Sequence, residues 1–469
     1  MNMPRVGLLA FSESMAREDV YQKRKGIAVR EIARLTEALA GEVELILPGL
    51  TELRGKRQAM QAVRELEAAG VEAVILAAPI FVAPAVVAHT ANLLNVPAML
   101  VGNAAEDSLS QVAFLAAGGA IDQIGAACAR LPGDPAVEPH RTALLHFLRA
   151  AAAKQRLRGQ TFGCIGGRAL GISSGTADLA LWERLFHVDI EHIDQFEIVR
   201  RTEAVSGTET ERHLAWLREK AGAIRFNGEN FTPAHLERQM RSYLATKRII
   251  EDNELDFCGV KCQPEMSNGY CLQCLNVALT NDPYDADGPK EPVACSCEAD
   301  ADGALTMQIL KLLSGNAPTS LNDIAIITDR AMTLANCGAM ATAFTACAPT
   351  PEANLARVEL VPHNFGEAGG AATCFTVPAG RRMTFARLFR QKDQYLLGML
   401  SGTTVEKDRA AQSPAMQVRP LIFADINIDS QRFLSTFGSN HLLAVEGDLI
   451  GELTAFAGML GIEAINYNR

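Results

Sequence analysis

Between Arg5 and Leu313 short apolar runs alternate with amphipathic stretches of helical period, and this pattern limits the fold more than any other feature. The runs Arg5–Phe11, Val43–Leu47, Val71–Ala78 and Val96–Val101 have strand length and β-branched character. Helical patterns fill the gaps: one up to Ala40 closed by Gly41, Leu53–Ala69 closed by Gly70, Pro84–Leu94, and Gln111–Ala129. Strands this apolar leave no face for water. The pattern therefore predicts parallel sheets covered by helices on both sides.

The turn-rich segment LPGDPAVEP, Leu131–Pro139, reads as a hinge. After a helix over Arg141–Leu157, a strand at Thr161–Ile165 opens a second unit of the same kind. Past Gly315 the segments Asp323–Thr328, Ala356–Val361, Ala372–Val377 and Arg419–Ile426 are shorter and separated by Gly, Pro and Asn turns. The expectation is an α/β protein: two doubly wound domains over 1–155 and 156–320, then a mainly β, barrel-like domain over 321–469 with a last helix at Leu449–Leu460. A length of 469 residues has room for about three domains.

Net charge of −10 and the lack of a basic tract argue against nucleic acid as partner. No apolar run approaches the roughly 18–20 residues of a membrane span. The opening MNMPRVGLLAF lacks a basic n-region and runs straight into a strand pattern. With eleven cysteines, an odd count, the reading is a cytoplasmic protein with reduced thiols and no membrane association.

The chemistry concentrates in Cys258–Gly303. A lone carboxylate, Glu265, follows an apolar run, and a helical stretch follows it in turn. The strand Val293–Cys297 then opens into Glu298, Asp300 and Asp302. Carboxylates beside apolar strand ends are costly to desolvate and need partners, often a cation. With His441 in the loop FGSNH, these acids are the metal candidates: hard divalent ions take oxygen ligands, and Mn2+ also accepts imidazole. The pairs Cys258/Cys262, Cys271/Cys274 and Cys295/Cys297 have spacings that a structural zinc could use, but they lie in apolar patterns rather than turn-rich knuckles, and the favoured reading is buried small hydrophobes. The glycine-, serine- and threonine-rich loop Gly166–Asp178 precedes a helix and reads as a strand-to-helix turn; its GISSG string, with Ser173, sits too far from its strand for a nucleophile elbow. Glu191, His192 and Asp194 fall in Val188–Arg201, whose alternation suits a strand and separates neighbouring side chains.

Four stretches resemble the L-fucose isomerase family, with L-arabinose isomerase more distant. They are GGRALGISSGTAD with VDIEHIDQFEIVRR, EPVACSCEADADGALTMQILKLLSG, GEAGGAATCFTV, and FGSNH, which is similar to the family's G-x-N-H metal histidine. The resemblance implies three domains, Mn2+ or another divalent ion held by a Glu, an Asp and a His, and a homo-oligomer, trimer or hexamer. Asp300 matches the metal Asp and His441 the metal His. The family's Glu has no counterpart in the helix pattern Tyr270–Thr280; Glu265 is the nearest substitute and Glu298 the fallback. The implied activity is aldose–ketose isomerisation of an open-chain sugar through an enediolate. Glu265 and Asp300 are expected as catalytic groups, Glu265, Asp300 and His441 as metal ligands, and Lys261, Gln263 and Asn440 as groups orienting hydroxyls. The alternatives are a metal-dependent enzyme on another sugar-like substrate, such as a deoxy- or sulfo-sugar or a polyol, or a catalytically silent sugar-binding homologue.

Overall fold

A computed structural model describes residues 3–13, 17–103, 109–345 and 350–469. The chain forms two compact units: Met1–Gln155 with Gly451–Met459, and Arg156–Ile450 with Leu460–Arg469. Among the described residues no helix is long and apolar enough to cross a membrane.

The first unit is built on a parallel five-stranded sheet, ordered Glu44–Ile46, Arg5–Ala10, Ala73–Ala77, Ala98–Val101, Ala129–Leu131. Side chains alternate across a strand, so each strand feeds two cores. Val74 and Leu76 join Leu9, Val63, Leu66 and Leu100 on one side. Ala73 and Ile75 join Val6, Leu8, Leu35 and Leu148 on the other. This is the doubly covered arrangement that the apolar runs require. One boundary moves: the helix expected over Gln111–Ala129 ends at Ile124, because Gly125 takes a left-handed φ of 67° as its cap, and Ala129–Leu131 becomes the edge strand.

The second unit holds a parallel sheet ordered Cys295–Cys297, Phe257–Val260, Thr161–Ile165, Asp189–Ile193. It also holds a mixed sheet of seven strands, ordered Arg382–Gln391, His441–Glu446, Ser320–Ile327, Ala331–Ala335, Leu421–Ile426, Gln394–Thr404, Glu463–Asn466. Arg382–Gln391 pairs with Gln394–Thr404 as well, so six of these strands form a closed ladder. The mainly β texture after Gly315 takes this form, and the boundary expected at 320 falls inside the second unit.

Two further expectations shift. Val188–Arg201 is not one strand: it breaks after Asp189–Ile193 at a turn in which Asp194 Oδ1 accepts from Phe196 N–H at 2.8 Å, and continues as a helix, Phe196–Ala204. The helix expected over Tyr270–Thr280 is Cys274–Asn281, preceded by a separate turn of helix at Glu265–Gly269.

The element that positions the site is the helix Ala301–Leu313, which follows the strand Cys295–Cys297 and is buried almost throughout. It packs on Phe257–Val260 of the parallel sheet and on Arg382–Gln391 and His441–Glu446 of the mixed one. A helix that is apolar on nearly every side belongs between two layers, and its N-terminus brings residues of both sheets together.

Candidate active site

The turn between the strand Cys295–Cys297 and this helix is strained. Glu298 and Ala299 have φ of 61° and 48°. Non-glycine residues in this region cost on the order of 1–3 kcal/mol each and persist only where the surroundings impose them. The turn ends at Asp300, which caps the helix: its Oδ1 accepts from Gly303 N–H at 2.8 Å.

Asp300 is also the hub of a buried ion cluster. Arg387 donates to both carboxylate oxygens, at 2.6 and 2.9 Å, and His441 Nδ1 lies 2.7 Å from Oδ2. Arg387 Nη2 donates further to Ser174 O at 2.6 Å. Burial opposes the charge on Asp300, but Arg387 and His441 outweigh it and hold the carboxyl well below the usual carboxylate range. With Gly303, Arg387 and His441 in place, two donors meet each oxygen and its acceptor sites are filled.

The other face of His441 is open to acids. Its Nε2 is 3.3 Å from Glu298 Oε2 and 3.6 Å from Asp323 Oδ1. Asp323 stands opposite His441 in the ladder between Ser320–Ile327 and His441–Glu446. Glu298 Oε2 is buried and makes no aligned hydrogen bond. Burial disfavours the imidazolium, but the bond to Asp300 and the charges of Glu298 and Asp323 raise the His441 pKa to about 10. Nε2 therefore carries a proton at neutral pH in the metal-free protein.

Asp302 faces elsewhere. Tyr395 Oη donates to it at 2.6 Å, Trp182 Nε1 at 3.3 Å and Arg390 Nε at 3.3 Å. Burial lifts its pKa to about 6 in spite of these partners. The acidic cluster thus divides: Glu298 and Asp300 meet His441, while Asp302 sits in an aromatic packing site.

Above the cluster lies the loop Gly166–Asp178. Arg168, Ala169, Ile172 and Gly175 close against Glu298, Asp300 and His441 and leave only a narrow cleft between them, too tight for a water molecule. Gly175 has to be small, since a Cβ there would stand 3.3 Å from the Asp300 carboxyl carbon. Arg387 through Ser174 O, and Arg390 through Thr176 O and Thr176 Oγ1, tie this loop to the strand Arg382–Gln391. Ser173 Oγ accepts from Arg168, and Asp178 caps the next helix through Leu181 N–H.

The other sequence candidates are placed as follows. Glu265 is exposed on the first turn of Glu265–Gly269, and its carboxylate accepts from Lys261 Nζ at 2.7 Å. Lys261, four residues earlier, holds the Glu265 carboxyl below its ordinary value; neither Asp300 nor His441 is its partner. The expected trio of Glu265, Asp300 and His441 is therefore not assembled, and Glu298 stands where that glutamate was expected. Lys261 is engaged with Glu265, and Gln263 lies in the turn between them. Asn440 adjoins His441 and donates to Asp323 Oδ1 at 3.3 Å. Sequence reasoning missed Arg387 and Asp323. The signal for Arg387 was an arginine inside the apolar run MTFARLF, where a charge requires a buried partner.

Residues 334–468 match the family described as L-fucose isomerase, C-terminal domain. The matched stretch includes Arg387, Asn440 and His441; Glu298 and Asp300 precede it. No curated protein matches the chain. The similarity is confined to residues 334–468, less than half of the chain.

Proposed function

We propose that the chain is an aldose–ketose isomerase in which Glu298 moves the proton and His441, oriented by Asp300, faces the reacting oxygens. The observation that carries this reading is the buried Glu298 Oε2, which makes no aligned hydrogen bond and lies 3.3 Å from His441 Nε2 under the loop Gly166–Asp178.

Two carboxylates at 3.3 and 3.6 Å from an imidazole nitrogen are donors of the type a hard divalent ion such as Mn2+ takes, although the three do not converge on one point as they stand. The residues that would hold it are Glu298, Asp323 and His441 Nε2. When bound, such an ion supplies a Lewis acid for adjacent oxygens of an open-chain sugar. Asp300 belongs behind the histidine in this reading: its acceptor sites are filled, and its bond to Nδ1 fixes the tautomer that presents Nε2.

Glu298 takes the C2 proton of the aldose, the C2–H electron pair becomes the C1–C2 double bond, and the C1–O π pair moves onto O1, giving the enediolate. Glu298 returns the proton to C1, and the proton of the C2 hydroxyl passes to O1, leaving the ketose. The loop Gly166–Asp178 is pinned over the cluster through Ser174 and Thr176.

The test is a panel of pentoses, hexoses and deoxy- and sulfo-sugars assayed for ketose formation with Mn2+ and with chelator. Conversion of at least one aldose, lost on Glu298→Gln, is expected. Sugar binding without conversion across the panel, or full turnover by Glu298→Gln, would refute the reading.

A further inference from the structure

A second cluster in the same unit uses none of these carboxylates. Cys274 opens the helix Cys274–Asn281, Cys297 closes the strand Cys295–Cys297, Cys337 follows the strand Ala331–Ala335, and His363 follows Glu359–Pro362. All four are buried, and the three cysteines are free thiols. The donor atoms of Cys274, Cys337 and His363 lie within 4.8 Å of one another. Cys297 Sγ is 3.3 Å from Cys337 Sγ but stands outside that group, and would complete the set by turning its side chain. A tetrahedral ion with bonds of about 2.3 Å to sulfur sets its sulfurs about 3.8 Å apart, a spacing that these distances bracket.

His363 adds a separate observation. Its Nδ1 is 2.8 Å from Phe365 O and its Nε2 is 2.6 Å from Cys337 O. Phe365 N–H also approaches Nδ1, at the longer distance of 3.2 Å. A neutral imidazole has one N–H for these two carbonyls. Donation from Nδ1 to Phe365 O turns the Nε2 lone pair toward the thiols and Cys337 O, the form that a cation selects; without one, Nε2–H donates to Cys337 O and Nδ1 accepts from Phe365 N–H. A backbone carbonyl holding the far N–H is the usual support of a metal-bound histidine. The other acid and histidine group among the described residues, the buried His213 and Asp285 with the exposed Asp287, lacks this character, because Lys247, Arg212 and Tyr243 already occupy its carboxylates.

We propose that Cys274, Cys297, Cys337 and Nε2 of His363 form a closed structural site for a borderline-soft divalent ion of the Zn2+ class. Three thiolates and one imidazole suit such an ion and do not suit Mn2+. Each thiol that binds gives up its proton to solvent as the chain folds around the ion. Cys297 immediately precedes Glu298, so the ion pins the strand end from which the strained turn at Glu298 and Ala299 departs. The site does not depend on the isomerase reading.

The full-length protein, purified without chelator, is analysed for zinc, and a second preparation is grown with Co2+ for its absorption spectrum. The expected results are about one zinc per chain and an intense thiolate-to-cobalt charge-transfer band, which a site of carboxylates and imidazole cannot produce. Both should be lost in Cys337→Ser and kept in Cys258→Ser, a buried cysteine outside the cluster. A folded wild-type protein with neither zinc nor the band overturns the proposal, and so does zinc content unchanged in Cys337→Ser. If Cys337→Ser does not fold, the wild-type metal content and cobalt spectrum decide by themselves.

Discussion

Replacing Arg387 with methionine tests whether the Asp300 cluster organises the second unit. Arg387 and Asp300 have side-chain exposures of 0% and 1% and share a two-point contact at 2.6 and 2.9 Å. Breaking such a pair from one side leaves a buried charge uncompensated, at a cost of about 3–5 kcal/mol. Arg387→Met falls near the low end, about 3 kcal/mol, because Asp300 keeps the His441 imidazolium and the Gly303 N–H. Asp300→Asn falls near the high end, about 5 kcal/mol, because it strands the guanidinium with Ser174 O while preserving the helix cap. The double variant leaves neither charge, so it should recover about 2–3 kcal/mol relative to the sum of the single changes. Urea unfolding followed by tryptophan fluorescence reads this directly, since both tryptophans, Trp182 and Trp216, lie in the second unit. Single effects of about 1 kcal/mol, the size seen for exposed pairs, or strict additivity, would refute the reasoning.

Three other outcomes follow from the same geometry. Gly303→Ala, which on helix propensity alone should gain about 1 kcal/mol, should instead lower the melting temperature, because its Cβ would stand 2.6 Å from Arg387 Nη1 and 2.7 Å from the Asp300 carboxyl carbon. The His441 pKa of about 10 lies above the unfolded value, so in metal-free protein its contribution is complete below about pH 6.5 and is lost as pH rises toward 10; denaturation at stepped pH should show a fall on the order of 4 kcal/mol that His441→Gln removes. Asp302, with a pKa of about 6, is likewise raised, so its stabilising share is complete below about pH 4 and lost as pH rises through 6; Asp302→Asn should be more stable than wild type at pH 8 by about 3 kcal/mol and lose that advantage at pH 4.

The parallel sheets were legible because an apolar strand covered on both faces writes itself as an unbroken hydrophobic run, as in Ala73–Ala77. Where single residues set the ends, the pattern misled: Gly125 stops a helix that periodicity alone would extend to Ala129. In the site, Asp300 and His441 drew notice through their local strings, and they meet across 141 residues. Glu265 drew notice as a lone carboxylate, yet its charge is answered by Lys261, four residues earlier and ahead of the helix, through a turn that sequence spacing does not encode. Glu298 was obscured because its direction depends on two left-handed residues, a backbone choice that periodicity does not encode. Asp323 reads as an ordinary strand residue until the register sets it opposite His441.

The central claim is that Glu298, rather than Glu265, transfers the sugar proton. The most direct measurement is solvent deuterium incorporation at C1 and C2, followed by NMR with Mn2+ and a sugar that the wild-type protein converts. The account predicts exchange in wild type and in Glu265→Gln, and none in Glu298→Gln. Exchange that survives Glu298→Gln and disappears in Glu265→Gln would contradict it.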